Sequence, residues 1–347
     1  MSEGVELEIA GRTVTVTNPA KVMFQTRGDT KLDLVRYYLA VGDAVMRQMD
    51  DRPVLLQRFP NGAHGSNFFQ KRIPDGAPDW LHTVTVQTPN GTPSRALVIA
   101  DLAHLVWAVN LGCLGFHSWP VRASDLEHCD ELRIDLDPGP GTNYTMAKEA
   151  AHETHRLLGD IGVTGYIKSS GNRGLHVYVR LAPTHDSVAV RSAAVAVARE
   201  LARRRPDLIT DAWWKEERGA RIFVDFNQNA PHKTVFAPWS VRALDHAPVS
   251  FPFPWTLLDT LQPHDMTIAT VPTWVADHGD AWAAMNDAPQ PMEPFLEMVR
   301  RDQAAGLPDA PWPPVYPKMA GEPPRVAPSR AKKPKPKPTP TVEGEGA

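Results

Sequence analysis

The stretch Glu131-Leu-Arg-Ile-Asp-Leu-Asp-Pro138 carries the strongest structural signal in this chain. Apolar residues alternate with charged ones, as they do in a β-strand whose successive side chains point to opposite faces. The apolar residues therefore face one side, and Arg133, Asp135 and Asp137 face the other. Pro138 ends the strand because it cannot donate to a ladder. The pattern predicts a strand that places two carboxylates on one face.

Two carboxylates in the same space repel each other unless a cation lies between them. Their hard oxygen atoms suit Mg²⁺ or Mn²⁺, and Arg133 on the same face is expected to contact Asp135 and Asp137 from behind. The alternative is a solvated strand face with acidic residues near a turn. The Asp-x-Asp pattern alone leaves both interpretations open.

Composition limits the class of protein. The chain has 347 residues, of which 42% are hydrophobic, and no apolar run approaches the roughly 20 residues of a membrane span. Two cysteines and the absence of a signal pattern at the N-terminus favour a reducing cytoplasm. The net charge is −3, but residues 321–347 hold six Lys/Arg and three Glu. Nucleic acid would therefore have to bind in a local basic groove.

Hydrophobic periodicity predicts a mixed core. We expect strands at 5–17 and 165–180, each as a hairpin, and at 53–58, 82–88, 95–101, 131–137 and 220–227. We expect helices at 30–49, from 102 to about 112 or 115, and at 142–162, 186–205, 255–261, 273–285 and 293–305. From Gly306 the chain is proline-rich, and disorder is expected after Pro323. The mixture indicates an α/β or α+β core without an obvious linker before residue 306.

A third carboxylate candidate is Asp225, which lies between Val224 and Phe226. An aspartate flanked by apolar residues is expensive to bury unless something pairs with it. A metal ion would serve. The alternative is a buried ion pair with a nearby arginine, for which the candidates are Arg133, Arg218 and Arg221.

The turn of the second hairpin, Ser169-Ser-Gly-Asn-Arg-Gly174, has the composition of a phosphate cradle. Glycines let backbone N–H groups approach an anion, and Ser170 and Arg173 supply further donors. The strand that follows is expected to turn His176, Tyr178 and Arg180 outward. The alternatives are an ordinary glycine-rich turn and a structural histidine.

Together these motifs resemble a known family. Asp135-Leu-Asp-Pro138, Ser169-Ser-Gly-Asn-Arg-Gly-Leu-His176 and Val224-Asp-Phe-Asn227 occur in the order and at the separations of the primase-polymerase domain of bacterial DNA ligase D, in the archaeo-eukaryotic primase superfamily. The resemblance covers about residues 8–300. Further segments that resemble the family are Asn18-Pro-Ala-Lys21 with Thr30-Lys31, Arg52-Pro-Val54, Pro60-Asn-Gly-Ala63, Phe68-Phe-Gln-Lys71, Asn110-Leu-Gly-Cys-Leu-Gly-Phe-His117 and Ala237-Pro-Trp-Ser-Val-Arg242.

The resemblance implies a two-layer α/β (α+β) core of the archaeo-eukaryotic primase type. Its mixed sheet would be RRM-like, with an N-terminal α/β extension. The catalytic domain would span residues 1–306, and residues 307–347 would form a proline-rich, largely disordered basic tail. Asp135, Asp137 and Asp225 would hold two divalent cations, Mn²⁺ or Mg²⁺, for attack of a primer hydroxyl on a nucleoside triphosphate.

The resemblance also implies binding roles. Asn18, Lys21 and Lys31 would bind a 5′-phosphate of DNA, and Phe69 or Phe68 would stack on a template base, with the other phenylalanine in the core. The nucleotide, an NTP or dNTP, would be bound by His117, Ser170, Arg173, His176, Arg218, Lys233 and Arg242.

The function that the resemblance implies is template-dependent nucleotidyl transfer at short gaps and broken DNA ends, with ribonucleotides preferred. It would serve non-homologous end joining beside bacterial Ku and a separate ligase, in the cytoplasm and on the nucleoid when bound to DNA, with no role at a membrane. Gln57 replaces a residue that is usually basic in the family, and the ligase motif Lys-x-Asp-Gly is absent. Two other classes stay open: a catalytically idle DNA-end-binding module and a two-metal nuclease.

Overall fold

The computed structural model describes residues 4–87, 91–314 and 316. Within this part of the chain, no helix is both long enough and apolar enough to cross a membrane. Of the predicted tail, only residues 307–314 and 316 are described, and they pack against the body of the protein. The disorder expected after Pro323 concerns residues outside the described part.

The helices begin close to where their capping residues predict. Thr30 and Asp33 form the predicted capping box, and Asp186 caps the Ala/Val-rich helix as expected. The helix expected at 30–49 is two helices, since the chain breaks at Val41. The bounds are α1 Lys31–Ala40, α2 Gly42–Met49, α3 Leu102–Asn110, α4 Tyr144–Asp160, α5 Ser187–Arg204, α6 Val271–His278 and α7 Glu293–Ala304.

The strands are mostly short. They are β1 Val5–Ile9, β2 Arg12–Val16, β3 Val22–Phe24, β4 Asp29–Thr30, β5 Arg52–Arg58, β6 Phe68–Gln70, β7 Thr83–Gln87, β8 Pro93–Ile99, β9 Cys113–Ser118, β10 Glu131–Pro138, β11 Tyr166–Ser169, β12 Leu175–Arg180, β13 Ile209–Thr210, β14 Ile222–Val224 and β15 Val235–Phe236. The predicted hairpins are β1–β2 and β11–β12, and both are antiparallel.

The first sheet has the order β11-β12-β10-β14-β13. Its pairs are antiparallel except for β13 and β14, so the sheet is mixed. Strand β10 is central, and Leu136 pairs with Leu175 on one side and with Val224 on the other. The apolar face of β10 is buried, and helices α4 and α5 pack on this sheet.

The second sheet has the order β15-β9-β5-β8-β7, with β6 added to β5. Its inner strand β9 was not predicted, because Gly115 and His117 interrupt the apolar pattern of a buried strand. Gly115 is required there, since a Cβ atom would lie 2.4 Å from the ring of Phe236. Helices α1 and α3 pack on each other, and α3 packs on this sheet. The predicted mixed α/β class is confirmed.

Several local predictions were wrong. The helix expected at 255–261 is only a 3₁₀ turn, Trp255–Leu257, and the helix expected at 273–285 ends at His278. The strand expected at 220–227 is only Ile222–Val224, and Asp225 caps a 3₁₀ turn, Phe226–Asn229.

The face of β12 that carries His176, Tyr178 and Arg180 is buried. Tyr178 packs against Val235 of β15 and against Trp282 and Met285, and Arg180 binds Asp130.

A buried ion network lies at the start of β10. Its two acids are Asp130 and Glu131, and arginines from three other segments and from β10 itself surround them. The nitrogen–oxygen distances are 2.7–2.8 Å for these pairs. The arginines are Arg52, Arg122, Arg133 and Arg180.

Candidate active site

A cavity of about 330 Å³ lies between the two sheets, at the end of β10. It brings together residues that are more than 100 positions apart in the sequence. Eight of the predicted site residues line it: His117, Asp135, Asp137, Ser170, Arg173, His176, Asp225 and Arg242.

Two of the three aspartates reach the cavity from β10, and Asp225 reaches it from the end of the neighbouring β14, where it caps the 3₁₀ turn. Asp135 and Asp137 share a face of β10, as the alternation predicts, and Asp135 pairs in register with His176 of β12. His176 Nε2 lies 3.4 Å from Asp135 Oδ1. Asp225 is held alongside, since its backbone N–H donates to the carbonyl oxygen of Asp135 at 2.9 Å.

The carboxylates are electrostatically unfavourable in this arrangement. Burial and the repulsion from Asp225 and Asp137 raise the pKa of Asp135 well above its usual value. Burial also raises the pKa of Asp137 and of Asp225, although nearby cations oppose the rise. Without a further cation, the site therefore opposes simultaneous ionisation of the three acids.

The donor chemistry fits hard divalent cations. Three carboxylates share one cavity, and their mutual repulsion would be relieved by positive charge between them. In the described part of the chain, however, no group of three or more His, Cys, Asp and Glu side chains forms a ready-made metal cage. The three aspartates line one cavity, but their carboxylates do not converge on a common point.

The glycine-rich turn is organised by Ser170. Its Oγ accepts hydrogen bonds from the backbone N–H groups of Asn172 and Gly174, at 3.2 and 3.1 Å. Gly171 has a φ of +73°, and a Cβ atom there would lie 2.8 Å from Cγ of Arg242. Arg242 Nε in turn donates to the Ser170 carbonyl at 2.8 Å. The turn and the arginine therefore form one rigid, positively charged wall of the cavity.

His117 enters the opposite wall from β9. Burial, with Arg242 and Lys168 nearby, lowers its pKa to about 3, so the imidazole is neutral at physiological pH. Its Nε2 lies 3.5 Å from Oε1 of Gln57. A neutral imidazole beside an amide can bind polar groups without adding charge.

Two predicted nucleotide ligands lie outside the cavity lining. Arg218 donates to the carbonyl oxygens of Ala212 and Trp213, yet it still opposes the rise in the pKa of Asp137 that burial causes. Lys233 lines an adjoining cavity of about 300 Å³, which shares His117 with the first.

The two phenylalanines are both exposed, at 46% for Phe68 and 49% for Phe69. The expectation that one of them lies in the core was wrong, because β6 is an edge strand that pairs only with β5. Phe69 lines the adjoining cavity and contacts His117 edge-on at 5.2 Å, whereas Arg58 lies over Phe68. Phe69 is therefore the one beside the site.

Lys21 and Lys31 lie close together but outside the main cavity. The backbone N–H of Lys31 donates to the Lys21 carbonyl, and that of Lys21 donates to Asn18. Lys31 is only 5% exposed, and its ammonium group donates to the carbonyl oxygens of Thr17 and Asn110. Burial and Lys21 lower the pKa of Lys31. Lys21, which donates to the Pro60 carbonyl, is the more accessible cation.

Arg133 does not contact the aspartates as expected. Its guanidinium binds Glu131 and the backbone carbonyl of Ser118, because those acceptors are nearer the start of the strand. The arginine alternatives for Asp225 are not realised either, since its carboxylate accepts from the Asn227 N–H and from Gln228.

Sequence reasoning missed Gln228 and Lys168. Gln228 Nε2 donates to Asp225 Oδ2 at 2.8 Å and lines the cavity. Its position three residues after Asp225 is the only sequence signal. Lys168 is fully buried behind the cavity, where it donates to Ser250 Oγ at 2.6 Å, and the strand pattern gives no reason to expect a cation there.

Comparison with known proteins gives consistent matches. A sequence model of the LigD primase-polymerase domain matches residues 30–282. The chain is 32% identical over 307 residues to the multifunctional non-homologous end joining protein LigD of Mycolicibacterium smegmatis, covering 88% of this chain and 40% of that protein. It is 30% identical over 291 residues to the bifunctional LigD of Bacillus subtilis, covering 82% and 46%.

A solved structure, the polymerase domain from Mycobacterium tuberculosis ligase D in complex with DNA, superposes with a TM-score of 0.74 at 30% identity. It covers 80% of this chain and 99% of that one. The chain spans less than half the length of the curated relatives, so the match concerns one part of those proteins.

Proposed function

Because the chain belongs to the LigD primase-polymerase family, we propose that it is a template-dependent nucleotidyltransferase that extends DNA ends and fills short gaps. One observation carries the proposal: three aspartates, the glycine-rich turn and Arg242 line a single cavity. A triphosphate needs positive donors on one side and carboxylates that can share cations with it on the other. The cavity offers both.

Asp135, Asp137 and Asp225 would hold two divalent cations, Mn²⁺ or Mg²⁺. The chemistry that such cations supply is neutralisation of the triphosphate and activation of the attacking hydroxyl. The protein contributes position, since backbone hydrogen bonds within the sheet hold Asp225 beside Asp135.

The triphosphate would lie against the turn. Arg173 and Arg242 supply charge, and Ser170 can donate its hydroxyl proton while its oxygen accepts from the turn. His117 and His176 are neutral, because burial, together with nearby cations, lowers the pKa of each imidazole. They would donate hydrogen bonds to phosphate or sugar oxygens. Arg218 and Lys233, at the margin, would add longer-range attraction.

The DNA would lie beyond the adjoining cavity. Phe69, half exposed there, suits stacking on a template base whatever its identity. Lys21, with Asn18 and Lys31 behind it, would bind the 5′-phosphate at the far side of a gap, where the extra negative charge lies.

The cellular role that follows is repair of double-strand breaks by non-homologous end joining, beside bacterial Ku and a separate ligase. Support comes from the relatives, which are described as non-homologous end joining proteins. A preference for ribonucleotides belongs to the same proposal. The protein would act in the bacterial cytoplasm, on the nucleoid when bound to DNA.

A labelled primer–template with a short gap tests the proposal against its rivals. We expect primer extension that requires a template, a triphosphate and Mn²⁺ or Mg²⁺. Shortening of the strand would indicate a nuclease instead, and a bound but unchanged strand would indicate an end-binding module. Parallel reactions with ribonucleotides and deoxyribonucleotides test the sugar preference, which fails if deoxyribonucleotides are used faster.

A further inference from the structure

The described C-terminal residues, 307–314 and 316, form a segment that we call the strap. It lies beyond residue 282, where the match to the family model ends. It runs from α7 across α5 to the 3₁₀ turn that follows Asp225. We propose that the strap is a positioning element for Asp225, acting through Arg191 and Asn227. The proposal rests on the proposed function, since it assigns Asp225 to the transfer reaction.

Arg191 of α5 joins the strap to the turn. Its side chain is fully buried, and Nε donates to Asn227 Oδ1 at 2.8 Å. The other guanidinium nitrogens donate to the strap: Nη1 to Asp309 at 3.0 Å, and Nη2 to the carbonyl oxygens of Ala310 and Pro311 at 2.8 and 3.1 Å. Most of the acceptors of a buried cation therefore belong to the strap.

Asn227 continues the connection to the acid. Its Nδ2 donates to the Pro311 carbonyl at 2.9 Å, while its Oδ1 accepts from Arg191. Its backbone N–H donates to Asp225 Oδ1 at 3.1 Å. The buried side chain of Asn227 thus holds this residue in place, and its backbone N–H orients the Asp225 carboxylate.

Two further contacts hold the strap beyond Pro311. Trp312 lies over the guanidinium of Arg191, 3.8 Å from ring centroid to Cζ, and its Nε1 donates to Asp309 at 2.7 Å. Beyond it, the Tyr316 hydroxyl donates to the Pro231 carbonyl, just after the turn. The strap therefore contacts the Asp225 segment at two separate points.

Release of the strap would leave Arg191 buried without most of its acceptors. A buried charge that loses its partners is strongly unfavourable, so the surrounding residues would rearrange. Asn227 would move first, because its side chain contacts both Arg191 and the strap. Because a misplacement of about 1 Å can lower a rate about 100-fold, the transfer reaction should depend on the strap.

The test uses the full-length chain with Trp312→Ala or Asp309→Ala. Amide hydrogen exchange of residues 225–231 is measured without metal or DNA, and primer extension is measured separately. We expect exchange at least 10-fold faster and kcat at least 10-fold lower. Trp312→Phe, which keeps a ring over Arg191, should restore both. The matched control is Leu307→Ala, since Leu307 belongs to the strap but is 45% exposed and is not a partner of Arg191. It should behave as the parent.

Unchanged exchange in both variants would overturn the proposal. Faster exchange with an unchanged kcat would also overturn it, since the strap would then be structural only. A parent chain that fails to extend primers would defeat the proposed function, and the positioning role with it. The exchange comparison distinguishes these failures, because it needs no activity.

Discussion

The two ends of strand β10 treat carboxylates in opposite ways. At its start, Asp130 and Glu131 lie among arginines at ion-pair distances. At its other end, four to seven residues later, Asp135 and Asp137 line a cavity, and no arginine in the described part of the chain forms an ion pair with them. All four acids lie on β10 or immediately before it, so a difference of strand does not explain the contrast.

The surrounding charges do explain it. Burial opposes ionisation of Asp130, but Arg52, Arg180 and Arg122 outweigh it and lower its pKa. Burial opposes ionisation of Asp135 as well, but there the neighbouring Asp225 and Asp137 add to the effect and raise its pKa. The negative charge of Asp130 is balanced by arginines of the protein. The negative charge of Asp135 would be balanced only by a bound cation.

This difference indicates where stability and function lie. A network of buried ion pairs connects the two sheets near the start of β10, where Arg133 donates to the Ser118 carbonyl of β9. The uncompensated end is tolerated because the rest of the fold supports it, as is common at functional sites. Variants at the two ends should therefore have opposite effects.

The largest effect is expected at the functional end. Asp137→Ala should lower the primer-extension rate at least about 10⁴-fold, because loss of a ligand removes several kcal/mol of charge stabilisation. The thermal midpoint should stay equal or rise, since the repulsion between Asp137 and Asp135 is removed. Single-turnover extension and thermal unfolding measure the two quantities.

The matched control for that variant is Asp277→Ala, which removes an exposed acid. It should extend primers at the parent rate. If Asp137→Ala does so too, Asp137 is not a ligand.

The next effect is expected at the structural end. Asp130→Asn removes the acidic partner of Arg122 and leaves Glu131 as the acidic partner of Arg52 and Arg180. Breaking such a buried network typically costs about 3–5 kcal/mol. Urea unfolding should show this loss as a lower midpoint with a similar slope. A loss below about 1 kcal/mol would mean that the network contributes little. Activity in folded Asp130→Asn should stay near that of the parent.

The two ends of β10 should affect the pH dependence of stability in opposite directions. The pKa of Asp130 is lowered on folding, because the arginines outweigh burial, so its stabilisation is present at neutral pH and disappears as the pH falls below about 4–5. Burial, Asp225 and Asp137 raise the pKa of Asp135, so the metal-free site destabilises the protein at higher pH and is relieved on acidification. We expect the metal-free stability of the parent, relative to that of Asp135→Asn, to rise on acidification from pH 8, whereas its stability relative to Asp130→Asn should fall below about pH 4–5. Differences are needed because the lowered pKa values of His117 and His176 destabilise parent and variant alike on acidification. A parent-minus-Asp135→Asn difference that does not rise from pH 8 would contradict the contribution of Asp135.

The smallest effect is expected away from both ends. Lys21→Ala should reduce the preference for a 5′-phosphorylated downstream strand by about 10-fold, one charge-assisted contact being worth about 1.5 kcal/mol. Extension on an open template should not change. Gap-filling rates with phosphorylated and unphosphorylated strands provide the measurement. An undiminished preference would move the phosphate site elsewhere.

The sequence predicted strand β10 because alternation and a terminal proline are local signals. The sequence also predicted that Asp225 and the glycine-rich turn belong to the same site, because the order of these motifs resembles that of the ligase D primase-polymerase family. Strand β9 was not predicted, because Gly115 interrupts its apolar pattern, and the nearby ring of Phe236 leaves no room for a larger residue there. The acidic partner of Arg133 could not be predicted for another reason. Glu131 lies two residues before Arg133 and Asp135 lies two residues after it, so the sequence offers both equally. Only the position of the second sheet decides between them.

One measurement tests the opposition between the two ends most directly. The thermal midpoints of the parent and Asp135→Asn are compared in EDTA, and again with Mn²⁺ and a nucleoside triphosphate. We expect the order to reverse: the variant should be more stable than the parent in EDTA, by about 2 °C or more, and less stable with Mn²⁺, because bound ligand stabilises the parent more. A variant no more stable than the parent in EDTA, with both responding equally to Mn²⁺, would contradict the account.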